Sequence, residues 1–337
     1  MKVLLLTPAP AQQHLGGFAT VSRYRDGLQQ MGHLCEVVGS TGDGGLRQSL
    51  EGTVSRFRPD LVHAHDIHRC GLQLLGLRLP WVVSVRGEDL HEDMIDAERG
   101  PLVCEVLRRA SRVLVPNPEA GDLVVRRVPD AVGKIDVVPR AAVRLATNGT
   151  DLRRSFGIPP HRFLVFLPGG LRPVKGQHRA MSLIPVLRAA GADVEMVLAG
   201  PDQEPTYAAA IRAMAGEQSG VRVLTALDAE RMGAAYLDAD VVLNTSLSEG
   251  CAPTILEAGV LGRPVVAADV PGNRELLRHK ETGLLFGDEE EMAKQVLALY
   301  RNRNAAGALG VRIREDFSRR FTAQAEIRAL LSAYAAA

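Results

Sequence analysis

Aromatic residues make up only 4% of this chain, and Trp81 is its single tryptophan. With 46% hydrophobic residues, that describes a globular chain suited to parallel sheets flanked by helices. Cysteine is as scarce: Cys35, Cys70, Cys104 and Cys251 stand far apart, with no CxxC pair among them. That argues against a disulfide framework or a cysteine-based zinc site and fits a reducing compartment. Neither sign of charge is in excess, since 40 Lys and Arg face 39 Asp and Glu for a net charge of +1. No global field therefore draws the chain to nucleic acid or to an anionic membrane. The apolar run at the start, Val3-Leu4-Leu5-Leu6, stops at Thr7-Pro8, too short for a transmembrane helix or a signal-peptide core. Two nucleotide signatures are missing as well. Neither half offers GxGxxG after its first strand, which disfavours a nicotinamide dehydrogenase, and no G-x-x-x-x-G-K-[ST] supports a P-loop. The expectation is a cytoplasmic globular protein built on Ala, Val and Leu.

A length of 337 residues suits two domains of ordinary size. A continuous apolar run at 3–7 reads as a strand, and further strand segments recur at 35–38, 59–66, 81–85, 112–116 and 135–139. They alternate with helical patterns over 18–32, 69–77, 103–109 and 118–128. Periodicity fades from 140 to 160, where Thr147-Asn148-Gly149-Thr150 and Ile158-Pro159-Pro160 mark turns. A second series follows, with strands at 163–167, 194–199, 221–224, 241–243, 265–268 and 283–286 and helices between them, then helices over 289–303 and 305–336. This alternation predicts an α/β protein of two Rossmann-like, doubly wound domains with a cleft between them. The expected divisions are an N-terminal domain over 1–145, a C-terminal domain over 146–316 and a terminal segment over 317–337.

Polar groups collect where the strands finish, at the edge where open α/β sheets bind ligands. In the first half these are Gly16-Gly17, whose helix-opening N–H groups suit a phosphate or polar substrate, then His65, and Arg86 with Asp89. His63 is expected to face the opposite way from His65 and reads as structural. In the second half the turn Pro168-Gly169-Gly170-Leu171-Arg172-Pro173-Val174-Lys175-Gly176 combines glycine access with two cations, a combination suited to a diphosphate. Glu249 and Glu257 flank a helix opening at Pro253 and can accept hydrogen bonds from hydroxyls. Together these groups can hold a nucleoside diphosphate sugar: Arg172 and Lys175 on the phosphates, one glutamate on the ribose and the other near the sugar. Fixed positive charge on a departing diphosphate is then the main catalytic contribution, with no cofactor or metal required.

The order of these motifs resembles the retaining GT-B glycosyltransferases of family 4. It runs from the glycine loop with Arg172 and Lys175 through Glu249 and Glu257, spaced E-x7-E, to Pro264-Val265-Val266-Ala267, Pro271-Gly272-Asn273 and Thr282-Gly283-Leu284-Leu285-Phe286. Gly16-Gly17, His63-Ala64-His65 and Arg86-Gly87-Glu88-Asp89 are similar to that family's glycine loop, HxH strand end and R-G-x-D turn. The Arg172 turn and Gly272-Asn273 look most like the branch called glycosyltransferase 1 domain-containing proteins.

The resemblance implies a retaining hexosyltransferase using a UDP-sugar in preference to a GDP-sugar. It places Arg172 and Lys175 on the donor diphosphate, Glu257 on the ribose and Glu249 beside the transferred sugar. It also makes His65 and Arg86 contacts to the sugar or phosphate, with Asp89 holding the turn. A last helix crossing back to the first domain and peripheral contact with a membrane are both compatible with it. Two departures stand out. Most members carry the arginine five residues before the lysine, where Gly170 stands here. The wall Gly250-Cys251-Ala252-Pro253-Thr254 replaces a turn that reads Gly-Phe-Gly or Gly-Phe-Pro in many members. The shifted arginine raises the alternative of a catalytically silent nucleotide-sugar-binding subunit. A nucleotide-sugar epimerase is disfavoured, because it would need acid and base groups on the sugar carbon itself.

Overall fold

Runs such as Val3-Leu4-Leu5-Leu6 and Phe163-Leu164-Val165-Phe166-Leu167 are apolar at every position, so each must be covered on both faces, and helices do this on two separate parallel sheets. The computed structural model describes residues 1–8, 16–39, 45–143, 145–148 and 152–337. They divide into one unit of Met1–Ala141 with Ala323–Ala337 and another of Ala142–Thr322. The chain thus crosses at 141/142 and 322/323, where the sequence placed divisions at 145 and 316. The difference has a physical cause. The Ala142 N–H donates to the Phe321 carbonyl at 2.9 Å, and Ile313, Phe317 and Phe321 are buried in the second unit's core. Residues on both sides of the expected divisions are therefore held by the second unit.

In the first unit the strands are β1 (Lys2–Thr7), β2 (Leu34–Gly39), β3 (Leu61–His65), β4 (Trp81–Ser84), β5 (Arg112–Val115) and β6 (Ile135–Val137). They pair in parallel in the order β2-β1-β3-β4-β5-β6. Alternate residues face opposite ways, as a strand requires. Leu4, Leu6, Val62, Ala64 and Val83 bury one face of the sheet. On the other face, Val3, Leu5, Leu61 and Val82 pack with Val21, Tyr24 and Leu28 of helix Gly16–Gln30 and with Ile327, Leu330 and Tyr334 of the terminal helix Ala323–Ala335.

The second unit repeats the scheme with β7 (Phe163–Pro168), β8 (Val194–Ala199), β9 (Val221–Leu224), β10 (Val241–Asn244), β11 (Val265–Ala268) and β12 (Leu284–Phe286). Their order is β12-β11-β10-β7-β8-β9, all parallel. The direction of winding reverses between β1 and β3 in the first sheet and between β7 and β10 in the second. Such switch points open a crevice at the strands' carboxyl ends.

Three local expectations change. Helix Gly45–Phe57 was not anticipated, because only Leu46 and Leu50 of its length are buried and its apolar stripe is thin. The helix expected over 69–77 is a short 3-10 segment, Gly71–Leu74. Its approach is close: a Cβ on Gly71 would stand 2.6 Å from Val106 Cγ1. The long helix expected over 305–336 is two, Arg303–Arg320 and Ala323–Ala335, interrupted at Phe321.

Candidate functional site

The second unit's site grows from the two loops that leave its switch point. After β7 the chain turns through Gly169, at φ 150°, and Gly170, then Arg172, and Pro173–Lys175 forms one 3-10 turn ending at Gly176. Gly176 adopts φ 59°, and a Cβ there would lie 2.3 Å from the Thr245 carbonyl, so the loop can cross the end of β10 only at a glycine. Two bonds fasten the crossing. The Leu247 N–H donates to the Val174 carbonyl at 2.8 Å, and Thr245 Oγ1 donates to the Lys175 carbonyl at 3.0 Å. Fully buried Gln177 braces the glycine pair by donating from Nε2 to the Gly170 carbonyl at 2.9 Å.

This fastening brings Lys175 to Glu249. Lys175 Nζ lies 2.7 Å from Glu249 Oε1, with the side chains 20% and 8% exposed. Ser246 Oγ donates to the same oxygen at 2.7 Å, and Asn244 Nδ2 approaches it at 3.4 Å. Oε2 of Glu249 accepts no hydrogen bond from a described residue, so among the described residues only Oε1 of the carboxylate is held. The loop's backbone is held too. The Gly272 N–H donates to the Glu249 carbonyl at 3.1 Å, and a Cβ on Gly272 would come within 2.2 Å of that oxygen.

Glu257 stands one turn further along helix Pro253–Val260, beyond the wall residues Gly250, Cys251, Ala252, Pro253 and Thr254. Pro253 occupies the helix's first turn, and the N-cap Ala252 supplies no side-chain cap. Gly259 seats this helix on Phe317, whose Cδ2 would lie 2.2 Å from an added Cβ. Glu257 Oε2 accepts a hydrogen bond of 2.7 Å from the hydroxyl of Tyr236, a fully buried residue whose ring meets Phe166 edge-on. Burial and the neighbouring Glu257 carboxylate push the Tyr236 phenol well above its ordinary pKa, so it keeps its proton and acts as a donor.

In the first unit, Gly16 and Gly17 open helix Gly16–Gln30, and the loop before them from 9 to 15 is outside the described residues. His65 ends β3, and its buried Nδ1 has no hydrogen-bond partner among the described residues. Burial, then the charges of His63, Arg86, Arg140 and Arg23, depress its pKa well below the ordinary value and keep the ring neutral. The expectation that His63 faces the opposite way from His65 is corrected: residues two apart on a strand share a face, and both rings pack against Tyr24, with centroids at 5.8 and 6.0 Å. What makes His63 structural is its pair of buried partners. Its Nδ1 lies 2.7 Å from the Tyr334 hydroxyl and its Nε2 2.7 Å from Ser84 Oγ, while burial lowers its pKa to about 3.

Asp89 holds the turn through both oxygens. They accept the Arg86 N–H at 2.6 Å and the Ile67 N–H at 3.2 Å, and burial, reinforced by Asp66, pushes its carboxyl up to about 8. Arg86 Nη1 lies 3.3 Å from Asp66 Oδ2.

Asp66 is visible in the sequence as the aspartate closing its strand but was given no role; it adopts φ 148°, a strained region for a residue with a side chain. Sequence reasoning overlooked Tyr236, Asn244, Ser246 and Asn273. For Asn244, Ser246 and Asn273 a signal existed, since a polar run at a strand end and the Pro271-Gly272-Asn273 turn were both visible; Tyr236 looked like any core aromatic. Among the described residues no three His, Cys, Asp or Glu side chains group as metal ligands, and no helix is long and apolar enough to cross a membrane.

Two Rossmann-like units of this kind, with a cation and a carboxylate joined at a switch point, place the protein in the GT-B class of glycosyltransferases. The sequence relationships agree. Residues 162–302 match the family described as Glycosyl transferases group 1, and residues 2–141 match the Glycosyl transferase 4-like domain. The chain belongs to the group 1 glycosyltransferases.

Among its relatives, glycosyltransferase 1 domain-containing protein 1 of Xenopus tropicalis is 27% identical over 302 residues, covering 87% of this chain and 86% of that one. A D-inositol 3-phosphate glycosyltransferase of Corynebacterium efficiens is 29% identical over 252 residues, 67% of this chain and 59% of its own length. Similar solved structures include Anabaena Alr3699/HepE in complex with UDP-glucose, with a TM-score of 0.80 at 20% identity over the full length of both chains. Sucrose-phosphate synthase of Thermosynechococcus elongatus superposes with a TM-score of 0.83 at 18% identity, over 99% of this chain and 98% of that one.

Proposed function

We propose that the protein transfers a hexose from a UDP-sugar, in preference to a GDP-sugar, to an acceptor hydroxyl with retention of anomeric configuration. The observation that carries this reading is the Lys175–Glu249 contact at the second unit's switch point, with Oε2 of Glu249 left to a ligand. Lys175, joined by Arg172, takes the diphosphate over Gly169 and Gly170; Glu257, braced by Tyr236, takes the ribose hydroxyls; Glu249 Oε2 accepts from a hydroxyl of the sugar. The wall from Gly250 to Thr254, with half-buried Cys251, shapes the sugar's surroundings. On the first unit, neutral His65, Arg86 and the helix opening at Gly16-Gly17 are assigned contacts to the donor. A neighbour solved with UDP-glucose supports the choice of base.

In the reaction, the bond from the anomeric carbon to the phosphate oxygen breaks and its electron pair leaves with UDP. The acceptor oxygen bonds to that carbon on the same face and passes its proton to the departing phosphate oxygen. Arg172 and Lys175 stabilise the charge that develops on the leaving diphosphate, the electrostatic contribution expected to be largest. No metal takes part in this scheme, and we place the protein in the cytoplasm, where thiols such as its four free cysteines stay reduced.

The test is a thermal-shift screen of UDP, GDP and their sugars, followed by NMR of UDP-sugar turnover with and without EDTA. A ligand that binds only the native state raises the melting temperature with its affinity. Stabilisation by UDP-sugars, release of UDP and an unchanged anomeric configuration, all indifferent to EDTA, are expected. A shift with GDP-sugars alone, an inverted product, or binding without any UDP release would refute it, the last leaving a silent binding subunit.

A further inference from the structure

Glu249 takes its direction from two asparagines that lie behind it, neither of which carries a role in the scheme above. Asn273 is completely buried in the first turn of helix Pro271–Leu276, and Asn244 is buried at the end of β10. Asn273 Nδ2 reaches two acceptors, the Ala268 carbonyl at 2.9 Å and Asn244 Oδ1 at 3.1 Å. Asn244 Oδ1 also accepts the Ser246 N–H at 3.2 Å.

Main-chain groups decide which way both amides face. A backbone carbonyl can only accept, so the Asn273 amide must turn its nitrogen to Ala268 and therefore to Asn244 as well. A backbone N–H can only donate, so Asn244 must turn its oxygen to Ser246, in agreement with what Asn273 demands. The Asn244 nitrogen then points the other way, toward Glu249 Oε1 at 3.4 Å and Thr254 Oγ1 at 3.5 Å. Neither amide can flip alone without setting oxygen against oxygen in a buried place, where an unmet polar group is costly. Together with Lys175 and Ser246, this makes three donors converge on Oε1 and none from a described residue on Oε2.

We infer that Asn273 and Asn244 act as a polarity relay from the ends of β10 and β11 to Glu249, positioning Oε2 for the transferred sugar and so helping to set donor-sugar preference. The inference rests on the assignment of Glu249 to the sugar. Both asparagines are positioning residues: they act through Glu249 and touch no substrate themselves.

The relay is tested with Asn273→Asp and Asn244→Asp, which keep shape and exchange the donating NH2 for an oxygen. Asn273→Ala, which removes the donor without adding charge, decides the matter if the buried aspartate at 273 prevents folding. The probes are UDP, UDP-glucose and UDP-N-acetylglucosamine, read by calorimetric UDP affinity and by kcat and KM for UDP release from each sugar. For the 273 variants we expect UDP affinity within about two-fold of the parent, kcat on the preferred sugar lower by about ten-fold or more, and a kcat/KM ratio between the two sugars that moves toward unity. The double variant N244D/N273D should be no worse than N244D alone, as members of one chain of contacts are non-additive.

Unchanged kcat and sugar ratio in folded 273 variants would overturn the relay. So would a parallel loss of UDP affinity and turnover, which marks mere structural support. If the parent protein releases no UDP from any sugar, the functional reading itself fails and the relay with it; a fully active parent with indifferent variants sinks the relay alone.

Discussion

Lys175 Nζ lies 2.7 Å from Glu249 Oε1, so a cation suited to phosphate and a carboxylate suited to sugar hold each other across 74 positions of sequence. The pair forms because Gly176 lets the loop after β7 cross the end of β10, and both side chains are largely withdrawn from water. Withdrawal strengthens their attraction and raises the cost of removing one partner. Under the proposed scheme, a diphosphate would meet a cation already fixed in place.

The two members of the pair should separate in their effects. Lys175→Ala is expected to weaken UDP binding by about ten-fold or more, since a charge-assisted contact to phosphate is lost. Glu249→Ala should leave UDP affinity within about three-fold and lower turnover of the UDP-sugar by about a hundred-fold, because the proposed scheme gives it a contact to the sugar alone. Calorimetry with UDP and initial-rate kinetics on the same preparations check this. Equal losses of binding and turnover in both variants would refute the division.

Tyr236→Phe should act on the nucleotide through Glu257. Its hydroxyl bonds Oε2 of Glu257 at 2.7 Å from a fully buried position, so its removal costs about 1 kcal/mol of ordering at the carboxylate. UDP affinity is expected to fall about three- to ten-fold, with kcat on saturating UDP-sugar close to the parent value. Glu257→Ala should weaken UDP further. A Tyr236→Phe protein that binds UDP as tightly as the parent would show that Glu257 needs no brace.

What the sequence disclosed, and what it hid, follows from the range of each interaction. Strands such as Phe163–Pro168 were legible because full burial forces an unbroken apolar run. Helix Gly45–Phe57 was not, since it buries only Leu46 and Leu50 and so leaves little periodic trace. Arg172, Lys175, Glu249 and Glu257 could be picked out by residue type at strand ends. Their contacts could not, because Lys175 meets Glu249 only once β7 and β10 are neighbours, and that pairing belongs to the sheet order. Asn244 and Asn273 were visible only as turn residues, since an asparagine at a strand end or beside a glycine reads as turn chemistry whether it faces solvent or lies buried. Tyr236 was hardest, because nothing in the sequence sets it apart from any core aromatic.

The pH dependence of stability should have opposite slopes from two buried groups of the first unit. His63, lowered to about 3 against an ordinary 6.5, is neutral when folded. Its contribution is complete above pH 6.5 and is lost as pH falls toward 3, because the unfolded chain then binds the extra proton. Asp89, raised to about 8 from 3.8, works the other way: its contribution is complete below pH 3.8 and is lost as pH rises through 8. Melting temperature should therefore decline between pH 6.5 and 8.5 on account of Asp89. Asp89→Asn should be less stable overall, since one of the two N–H groups facing it loses an acceptor, yet show a flatter slope in that window. An unchanged slope in Asp89→Asn would rule out its titration as the cause.

The terminal helix Ala323–Ala335 should be indispensable to the first unit. Its Ile327, Leu330 and Tyr334 complete the core around Val3, Leu5, Val21 and Leu28, and a Cβ on Gly27 would stand 2.5 Å from Ile327. Glu326, fully buried, takes Arg23 in a two-point grip with Nε–Oε2 at 2.6 Å and Nη2–Oε1 at 2.8 Å. Replacing one partner of a buried pair costs about 3–5 kcal/mol, so Glu326→Ala should lower the melting temperature markedly. Tyr334→Phe removes only the hydroxyl that meets His63 Nδ1 and should cost about 1–2 kcal/mol. Because His63 also meets Ser84 at the end of β4, that smaller change should speed hydrogen exchange in β3 and β4 while leaving β7 and β10 unaltered. Exchange that rises equally in both sheets would mean that Tyr334 supports the whole chain rather than the first unit's sheet.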